Sequence, residues 1–257
     1  RRARDRIARL EREVEQLGQR RRLRRHARTV REVPTVAVIG YTNAGKSTIM
    51  NQLLQKIGQE QSKQVFEKDM LFATLETSVR QIKLPDQKEF LLTDTVGFVS
   101  KLPHHLVKAF RSTLEEARDA NLLLHVVDVS NDEHRYMMDV TNETLLEVGV
   151  KDVPTIFVYN KSDLADMMYP HVAGSNIWIS AKDGKGLDEL LDIIKKYIFS
   201  DYVQCDLLIP FDRGDIVSYL NEKATVKSTS YEEEGTLVHV ELKKSDYDRL
   251  EEFVYQP

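Results

Sequence analysis

The sequence predicts an α/β fold in which a mostly parallel six-stranded sheet, with one antiparallel strand, follows a basic helix and precedes a small α+β domain. From Pro34 onward, short runs rich in β-branched residues alternate with amphipathic stretches, which is typical of a parallel sheet. The Pro85-Asp86 turn between two such runs is short enough for a hairpin, so we expect one antiparallel strand. After Ser200 the order changes to strand, helix, two strands and helix.

The N-terminal segment, residues 1–32, differs from the rest of the chain in charge. Its first 31 residues contain 13 arginines and 4 acidic residues, whereas the remainder carries a net charge of −13. Apolar residues recur in it at spacings of three and four, which predicts a helix with a narrow apolar seam: Ile7, Leu10, Val14 and Leu17. Its arginines leave two interpretations open, a solvated helix end or a contact with nucleic acid. Because the chain lacks an initiator methionine, we expect this helix to end a truncated N-terminal domain.

Residues 33–200 contain the predicted sheet and the helices that cover it. Strands are predicted at Thr35–Ile39, Val79–Leu84, Glu89–Thr93, Leu122–Asp128, Thr155–Tyr159 and Asn176–Ile179. Helices are predicted at Lys46–Ile57, His105–Asp119, Asp132–Val148 and Leu187–Ile198. Each of these helices follows a strand, so this part of the chain is predicted to form one domain.

Residues 201–257 are predicted to form the small C-terminal domain. Its elements are a strand at Gln204–Pro210, a helix at Gly214–Ala224, two strands around the Glu232–Gly235 turn, and a helix beginning near Ser245. A unit of about 55 residues is only marginally stable alone, so we expect it to dock on the larger domain.

Composition excludes several classes of protein. With 41% hydrophobic and 30% charged residues, the chain is neither disordered nor collagen-like. No apolar run approaches the roughly 18 residues of a membrane span. The single cysteine, Cys205, excludes an internal disulfide and a cysteine-cluster zinc site. We therefore expect a cytoplasmic protein, and nothing in the sequence requires a dimer.

The segment at residues 40–47 matches G-x-x-x-x-G-K-S and lies between a predicted strand and a predicted helix. In such a loop, backbone N–H groups and the helix N-terminus bind phosphate. Lys46 is expected to bridge the β- and γ-phosphates, and the Ser47 hydroxyl to ligate Mg²⁺. The predicted phosphate-binding residues are Gly40, Tyr41, Thr42, Asn43, Ala44, Gly45, Lys46, Ser47 and Thr48.

Three further polar segments each follow a predicted strand. Asp94 is placed to reach the magnesium shell, and the Gly97 N–H to meet the γ-phosphate. The Asn160-Lys161-Ser162-Asp163 segment predicts a guanine site: the Asp163 carboxylate accepts from two donors that adenine lacks, while Asn160 reaches guanine O6. In the Ser180-Ala181-Lys182 segment, a backbone N–H is expected to meet the same O6 atom.

Together these segments resemble the translation-factor class of P-loop GTPases, which implies a P-loop GTPase fold that binds GTP or GDP with Mg²⁺. The Phe72–Leu75 segment resembles the switch I motif of Obg and HflX GTPases, which implies that Thr74 is a magnesium ligand. Lys46, Thr74 and Gly97 are then the residues implied in hydrolysis. Asn43 lies where some relatives bind K⁺, and a potassium requirement is left open.

Longer stretches are similar to HflX GTPases in particular: Asp69–Glu76, Asp94–Val99, Leu102–Pro103 and Phe110–Glu116. The basic helix and the C-terminal tail also resemble parts of that family, so the resemblance covers essentially the whole chain. It implies a GTPase that associates with the large ribosomal subunit through the basic helix and a missing N-terminal domain. Since nothing in the sequence requires a dimer, we expect a monomer. It further implies activation by that subunit and a role in splitting or rescuing ribosomes under stress.

Phe98 departs from Ras-like enzymes, which place a water-orienting glutamine directly after this glycine. Because phenylalanine cannot orient a water molecule, the isolated protein is expected to hydrolyse GTP slowly; a packing role for Phe98 is compatible with this. Two other functions stay open. One is a GTPase of ribosome assembly or RNA modification, and the other is a nucleotide-gated RNA-binding module with little turnover.

Overall fold

A computed structural model describes residues 33–58, 78–86, 88–95, 97–98 and 116–255. Within them lie a seven-stranded sheet with the order β2-β3-β1-β4-β5-β7-β6 and a three-stranded sheet with the order β8-β10-β9. The strands of the large sheet are β1 (Thr35–Gly40), β2 (Ser78–Lys83), β3 (Glu89–Asp94), β4 (Leu122–Asp128), β5 (Thr155–Asn160), β6 (His171–Ala173) and β7 (Asn176–Trp178). The predicted basic helix of residues 1–32 lies outside the described residues.

The centre of the large sheet consists of β1, β4 and β5, which run parallel as predicted. Strands β1 and β4 are buried along almost their whole length, as expected where helices cover both faces of a parallel sheet. Helices α1 (Lys46–Lys56) and α3 (Leu187–Ile198) share one apolar cluster on one face. Helix α2 (His134–Glu147) contributes Leu145 to the cluster on the other face.

The two ends of the large sheet differ in how well they were predicted. The β2–β3 pair is antiparallel, which confirms the hairpin expected at Pro85-Asp86. The predicted count of six strands with one antiparallel is wrong, because β6 adds a second antiparallel edge beside β7. All three β6 residues are exposed, so the strand lacks the apolar alternation that signals a strand in the sequence. Of the helix predicted at 105–119, only residues 116–118 are described as helical.

The three-stranded sheet belongs to what we call the C-terminal unit, residues 202–254. Its elements occur in the predicted order: β8 (Tyr202–Ile209), α4 (Gly214–Lys223), β9 (Thr225–Glu232), β10 (Gly235–Lys243) and α5 (Lys244–Arg249). Leu207, Leu220 and Val240 are among the residues that form its own core. No helix in the described part of the chain is both long and apolar enough to cross a membrane.

Candidate functional site

The loop between β1 and α1 adopts the conformation that a phosphate-binding loop requires. Asn43 and Gly45 both have positive φ angles, 61° and 94°. A Cβ atom on Gly40 would lie 2.2 Å from the carbonyl oxygen of Val126, so only glycine lets this loop pass so close to β4. The loop then enters α1 with its backbone N–H groups at the helix N-terminus, the geometry that favours an anion.

Lys46 is buried inside this loop with only 7% of its surface exposed. Its ammonium group donates to the carbonyl oxygens of Gly40 and Tyr41, at 3.1 and 2.8 Å. Burial lowers the pKa of Lys46 to about 8, and the nearby Asp94 carboxylate opposes this effect. A desolvated cation held against the loop is well placed to meet the charge of a polyphosphate.

The Ser47 hydroxyl donates to the Asp94 carboxylate at 3.0 Å, so β3 and α1 place two oxygen ligands side by side. Asp94 is fully buried at the end of β3. Magnesium prefers oxygen ligands and needs few from the protein when phosphates supply others, so this pair fits the predicted Mg²⁺. Thr48 follows on α1 and is half-buried, whereas Thr74, the third implied ligand, lies outside the described residues.

The segment after β3 folds onto the phosphate-binding loop. The Phe98 N–H donates to Gly40 at 3.1 Å, and the Thr42 N–H donates back to Phe98 at 2.9 Å. A Cβ atom on Gly97 would lie 2.9 Å from the Thr42 Cα atom, so glycine is needed for this close approach of the two backbones. The Phe98 ring is 1% exposed and belongs to the apolar cluster of Ile39. The packing role considered for Phe98 is therefore confirmed.

Asn160 joins three of the four predicted segments. Its amide nitrogen donates to the Ala44 carbonyl at 2.9 Å, and its amide oxygen accepts from the Ala181 N–H at 3.0 Å. A Cβ atom on Gly45 would collide with this side chain at 2.2 Å. The assignment of Asn160 to guanine O6 stays a prediction: the two protein contacts use one amide hydrogen and one lone pair of the amide oxygen, so they do not exclude a contact with the base. The carboxyl ends of neighbouring parallel strands bring these loops together.

Asp163 is positioned by the turn that follows β5. Lys161 has a positive φ of 63°, and Ser162 is fully buried. The Ser162 N–H donates to Ile179 at 3.1 Å, which fixes the turn to the chain just before Ser180. The turn and the Ser180–Lys182 segment therefore lie side by side. Ala181 is buried and Lys182 is exposed. This arrangement places the two predicted base-binding segments together.

Sequence patterns missed Asp128, at the end of β4. Its carboxylate lies 2.7 Å from the Lys161 ammonium, and the two side chains are 18% and 27% exposed. The other carboxylate oxygen accepts from the N–H and the hydroxyl of Ser130, at 3.1 and 2.6 Å. Asp128 pairs with Asn160 in the register of β4 and β5, so an acid ending β4 was the available signal.

Replacing Asp128 with asparagine is expected to raise the GDP dissociation rate about 10-fold, because Lys161 loses a partly buried counter-charge. The Ser130 contacts can persist, since the asparagine oxygen still accepts. The preference for guanine over hypoxanthine nucleotides should stay unchanged, because the 2-amino group is assigned to Asp163. Displacement of fluorescent GDP and IDP measures both quantities; an unchanged GDP off-rate would contradict this role.

His125 is a second buried group next to the phosphate-binding loop. It is 1% exposed on β4 and packs against the Phe157 ring at 5.4 Å. Burial, assisted by the Lys46 ammonium, lowers the pKa of His125 to about 4. Within the described part of the chain its Nδ1 has no hydrogen-bond partner, and the residue lines a cavity of about 110 Å³ shared with residues 41–44.

The depressed pKa of His125 predicts a specific loss of stability in acid. Between pH 6.5 and about 4 the unfolded chain binds a proton that the folded chain does not, so the free energy of unfolding falls as pH falls. His125→Phe should remove up to about 3 kcal/mol of this dependence. Thermal or urea unfolding of both proteins across pH 4–7 measures it, and parallel pH profiles would contradict the assignment.

Comparisons with known proteins identify the family of the chain. A family model described as 50S ribosome-binding GTPase matches residues 35–161, and one described as HflX C-terminal domain matches residues 170–254. The chain is 39% identical over 251 residues to GTPase HflX of Caldanaerobacter subterraneus subsp. tengcongensis, covering 98% of this chain and 57% of that protein. It is 33% identical over 254 residues to GTPase HflX of Escherichia coli, covering 96% and 58%. The chain thus spans somewhat more than half the length of these relatives.

Solved structures support the fold alone. A GTP-binding protein from Sulfolobus solfataricus in complex with GDP aligns with a TM-score of 0.51 at 24% identity, covering 71% of this chain and 58% of that one. Era from Aquifex aeolicus, bound to GDP and aluminium fluoride, aligns with a TM-score of 0.51 at 22% identity over 64% and 56%. The P-loop GTPase fold, the two family models and the curated relatives lead to one assignment. The chain belongs to the HflX family of GTPases.

Proposed function

We propose that this chain binds and hydrolyses GTP, with Mg²⁺, as a switch that associates with the large ribosomal subunit in the cytoplasm and is activated by it. In this proposal the protein acts as a monomer that splits or rescues ribosomes under stress. Residues 33–200 form the GTPase domain and 201–257 a small C-terminal domain. Residues 1–32, which lie outside the described residues, contribute a basic contact to ribosomal RNA.

One observation carries the nucleotide part of the proposal: the Asn160 side chain joins the phosphate-binding loop to the segment that contains Ala181. This link brings the phosphate site and the base site to the same edge of the sheet. The ligand that spans such a pair of sites is a nucleoside polyphosphate, and the Asp163 carboxylate selects guanine.

Within this site, the chain's residues hold and orient the nucleotide. Lys46 and the backbone N–H groups of residues 43–47 neutralise the β- and γ-phosphates, and the Gly97 N–H fixes the γ-phosphate. Ser47, Asp94 and Thr74 would hold Mg²⁺, which would supply charge stabilisation at the phosphates. The Phe98 ring is packed in the core and cannot orient water. Hydrolysis is therefore slow until a partner supplies the missing polar group.

GTP turnover with and without purified large ribosomal subunits tests the proposal. We expect slow turnover by the chain alone and stimulation when subunits are present. Lys46→Ala is the matched inactive variant. Tight guanine nucleotide binding without stimulation would favour another RNA target or a nucleotide-gated binding module with little turnover.

Potassium remains an alternative second cation. Two features of Asn43 support this alternative: its position in the phosphate-binding loop and its positive φ of 61°. Turnover should be faster in K⁺ than in Na⁺ if Asn43 contributes to a potassium site, and equal rates in the two salts would remove the idea.

A further inference from the structure

Lys88 connects the two sheets of the molecule. It directly precedes β3, and its side chain is only 10% exposed. Its ammonium lies 2.7 Å from the carboxylate of Glu241, which is on β10 of the C-terminal unit and is 18% exposed. Because both charges are poorly hydrated, the pair is stable only when the two groups stay close together. Removing one of them would lower the stability of the fold, since the other charge would be poorly compensated.

Two aromatic rings complete this contact. The Lys88 ammonium lies 5.2 Å from the Phe199 ring centroid and 4.9 Å from that of Tyr202, within cation–π distance. The two rings meet edge to face at 5.3 Å, at the end of α3 and the start of β8. The Thr225 hydroxyl also donates to the Asp86 carbonyl at 2.6 Å. We call Lys88, Glu241, Phe199 and Tyr202 the Lys88 latch.

The Lys88 latch lies at the start of β3, and the proposed magnesium ligand Asp94 lies at the end of the same strand. Strand β3 begins at Glu89 and ends at Asp94, which accepts the Ser47 hydrogen bond. It is paired with β2 on one side and with β1 on the other. A strand fixed on both edges resists bending, so a displacement at one end is transmitted to the other. The segment that carries Gly97 follows β3 directly.

We propose that Lys88 is a positioning residue that couples the C-terminal unit to the nucleotide site. By fixing the start of β3, the latch sets where Asp94 and Gly97 lie relative to the phosphate-binding loop. Coupling between two sites is reciprocal. A γ-phosphate that shifts Asp94 and Gly97 is therefore expected to change the contact between Lys88 and Glu241 on β10 as well. This inference rests on the proposed function, because it requires that the site distinguish GTP from GDP.

The ratio of the dissociation constants for GDP and GTPγS in the full chain tests the coupling. Lys88→Met keeps an unbranched side chain against the two rings but removes the charge. Glu241→Gln removes the nearer of two carboxylates that face Lys88, the other being Asp86 at 3.8 Å. Each variant is expected to change this ratio about 5-fold or more, and the double variant no further than either alone. A purely structural role would lower the melting temperature without changing the ratio.

Lys244→Met is the matched control. Lys244 also belongs to the C-terminal unit and lies 2.7 Å from Asp248, but the two side chains are 55% and 58% exposed. Because exposed ion pairs contribute little, the ratio should be unchanged in this variant. Should Lys88→Met fail to fold, Glu241→Gln retains the size and polarity of the native side chain and carries the same test.

Hydrogen exchange gives an independent readout. In the wild-type chain, amide protection in β10 should differ between the GDP and GTPγS complexes, and Lys88→Met should abolish that difference. Ratios within 2-fold of wild type in both latch variants, or a β10 response that persists in Lys88→Met, would overturn the coupling while leaving the proposed function intact. A wild-type chain that binds neither nucleotide would overturn both.

Discussion

Lys46→Ala is expected to weaken GTP binding by at least about 100-fold, because each hydrogen bond between the ammonium and a phosphate oxygen contributes the energy typical of charged pairs. The ammonium is buried within the loop against the Gly40 and Tyr41 carbonyls, and no other described lysine or arginine is held there. Titration with a fluorescent GTP analogue measures the change. Retained micromolar affinity would contradict the site.

The same variant separates binding from folding. Burial lowers the pKa of Lys46 to about 8, so the nucleotide-free protein keeps this side chain charged at neutral pH at a cost in stability. Removing it should leave the melting temperature of the nucleotide-free chain no lower than that of wild type. Lys56→Ala is the control: Lys56 lies at the end of the same helix and makes a 2.9 Å surface ion pair with Asp188, so its loss should leave GTP affinity unchanged.

The sequence predicts the fold best where burial imposes a strong hydrophobic pattern. The predicted bounds of β4 and of α3 coincide with those observed, because one is a buried strand of mostly leucine and valine and the other a strongly amphipathic helix. Helix α2 begins at His134, two residues later than predicted. There the Asn131 side chain accepts from the Glu133 N–H at 2.8 Å and holds a turn.

The candidate site also contains residues that local patterns predict and residues that they do not. The positions of Lys46, Ser47 and Asp94 follow from local motifs, because each lies directly beside a predicted strand or helix. Asp128 and Lys88 were missed, because their roles depend on strand register and on how the two sheets meet. Neither the strand register nor the contact between the two sheets can be predicted from a local sequence pattern, although both residues are charged and lie at or next to the end of a strand. Local sequence patterns therefore identify candidate ligand-binding groups more readily than the groups that hold them in place.

Asp163→Asn is expected to change which base the site accepts. A carboxylate accepts from both the N1–H and the 2-amino group of guanine, whereas an asparagine side chain presents one acceptor and one donor. Xanthine has an oxygen at position 2 and therefore fits the asparagine donor. A site built for hydrogen bonding discriminates strongly, so the preference for GTP over XTP should shift toward XTP by about 10³- to 10⁵-fold.

Asp163→Asn tests the base contact without disturbing the turn that carries Asp163. Asp163 lies in a short 3₁₀ turn whose position is set by Ser162, through hydrogen bonds to Ile179 and to Tyr159, and not by the Asp163 side chain. The turn should therefore survive the substitution, and any change in nucleotide preference reports on the base contact itself. Competition binding of GTP and XTP measures the preference, with Asp166→Asn as the control on the same loop. An unchanged preference would mean that Asp163 does not face the base, and the guanine assignment would then fail even if phosphate binding through Lys46 were intact.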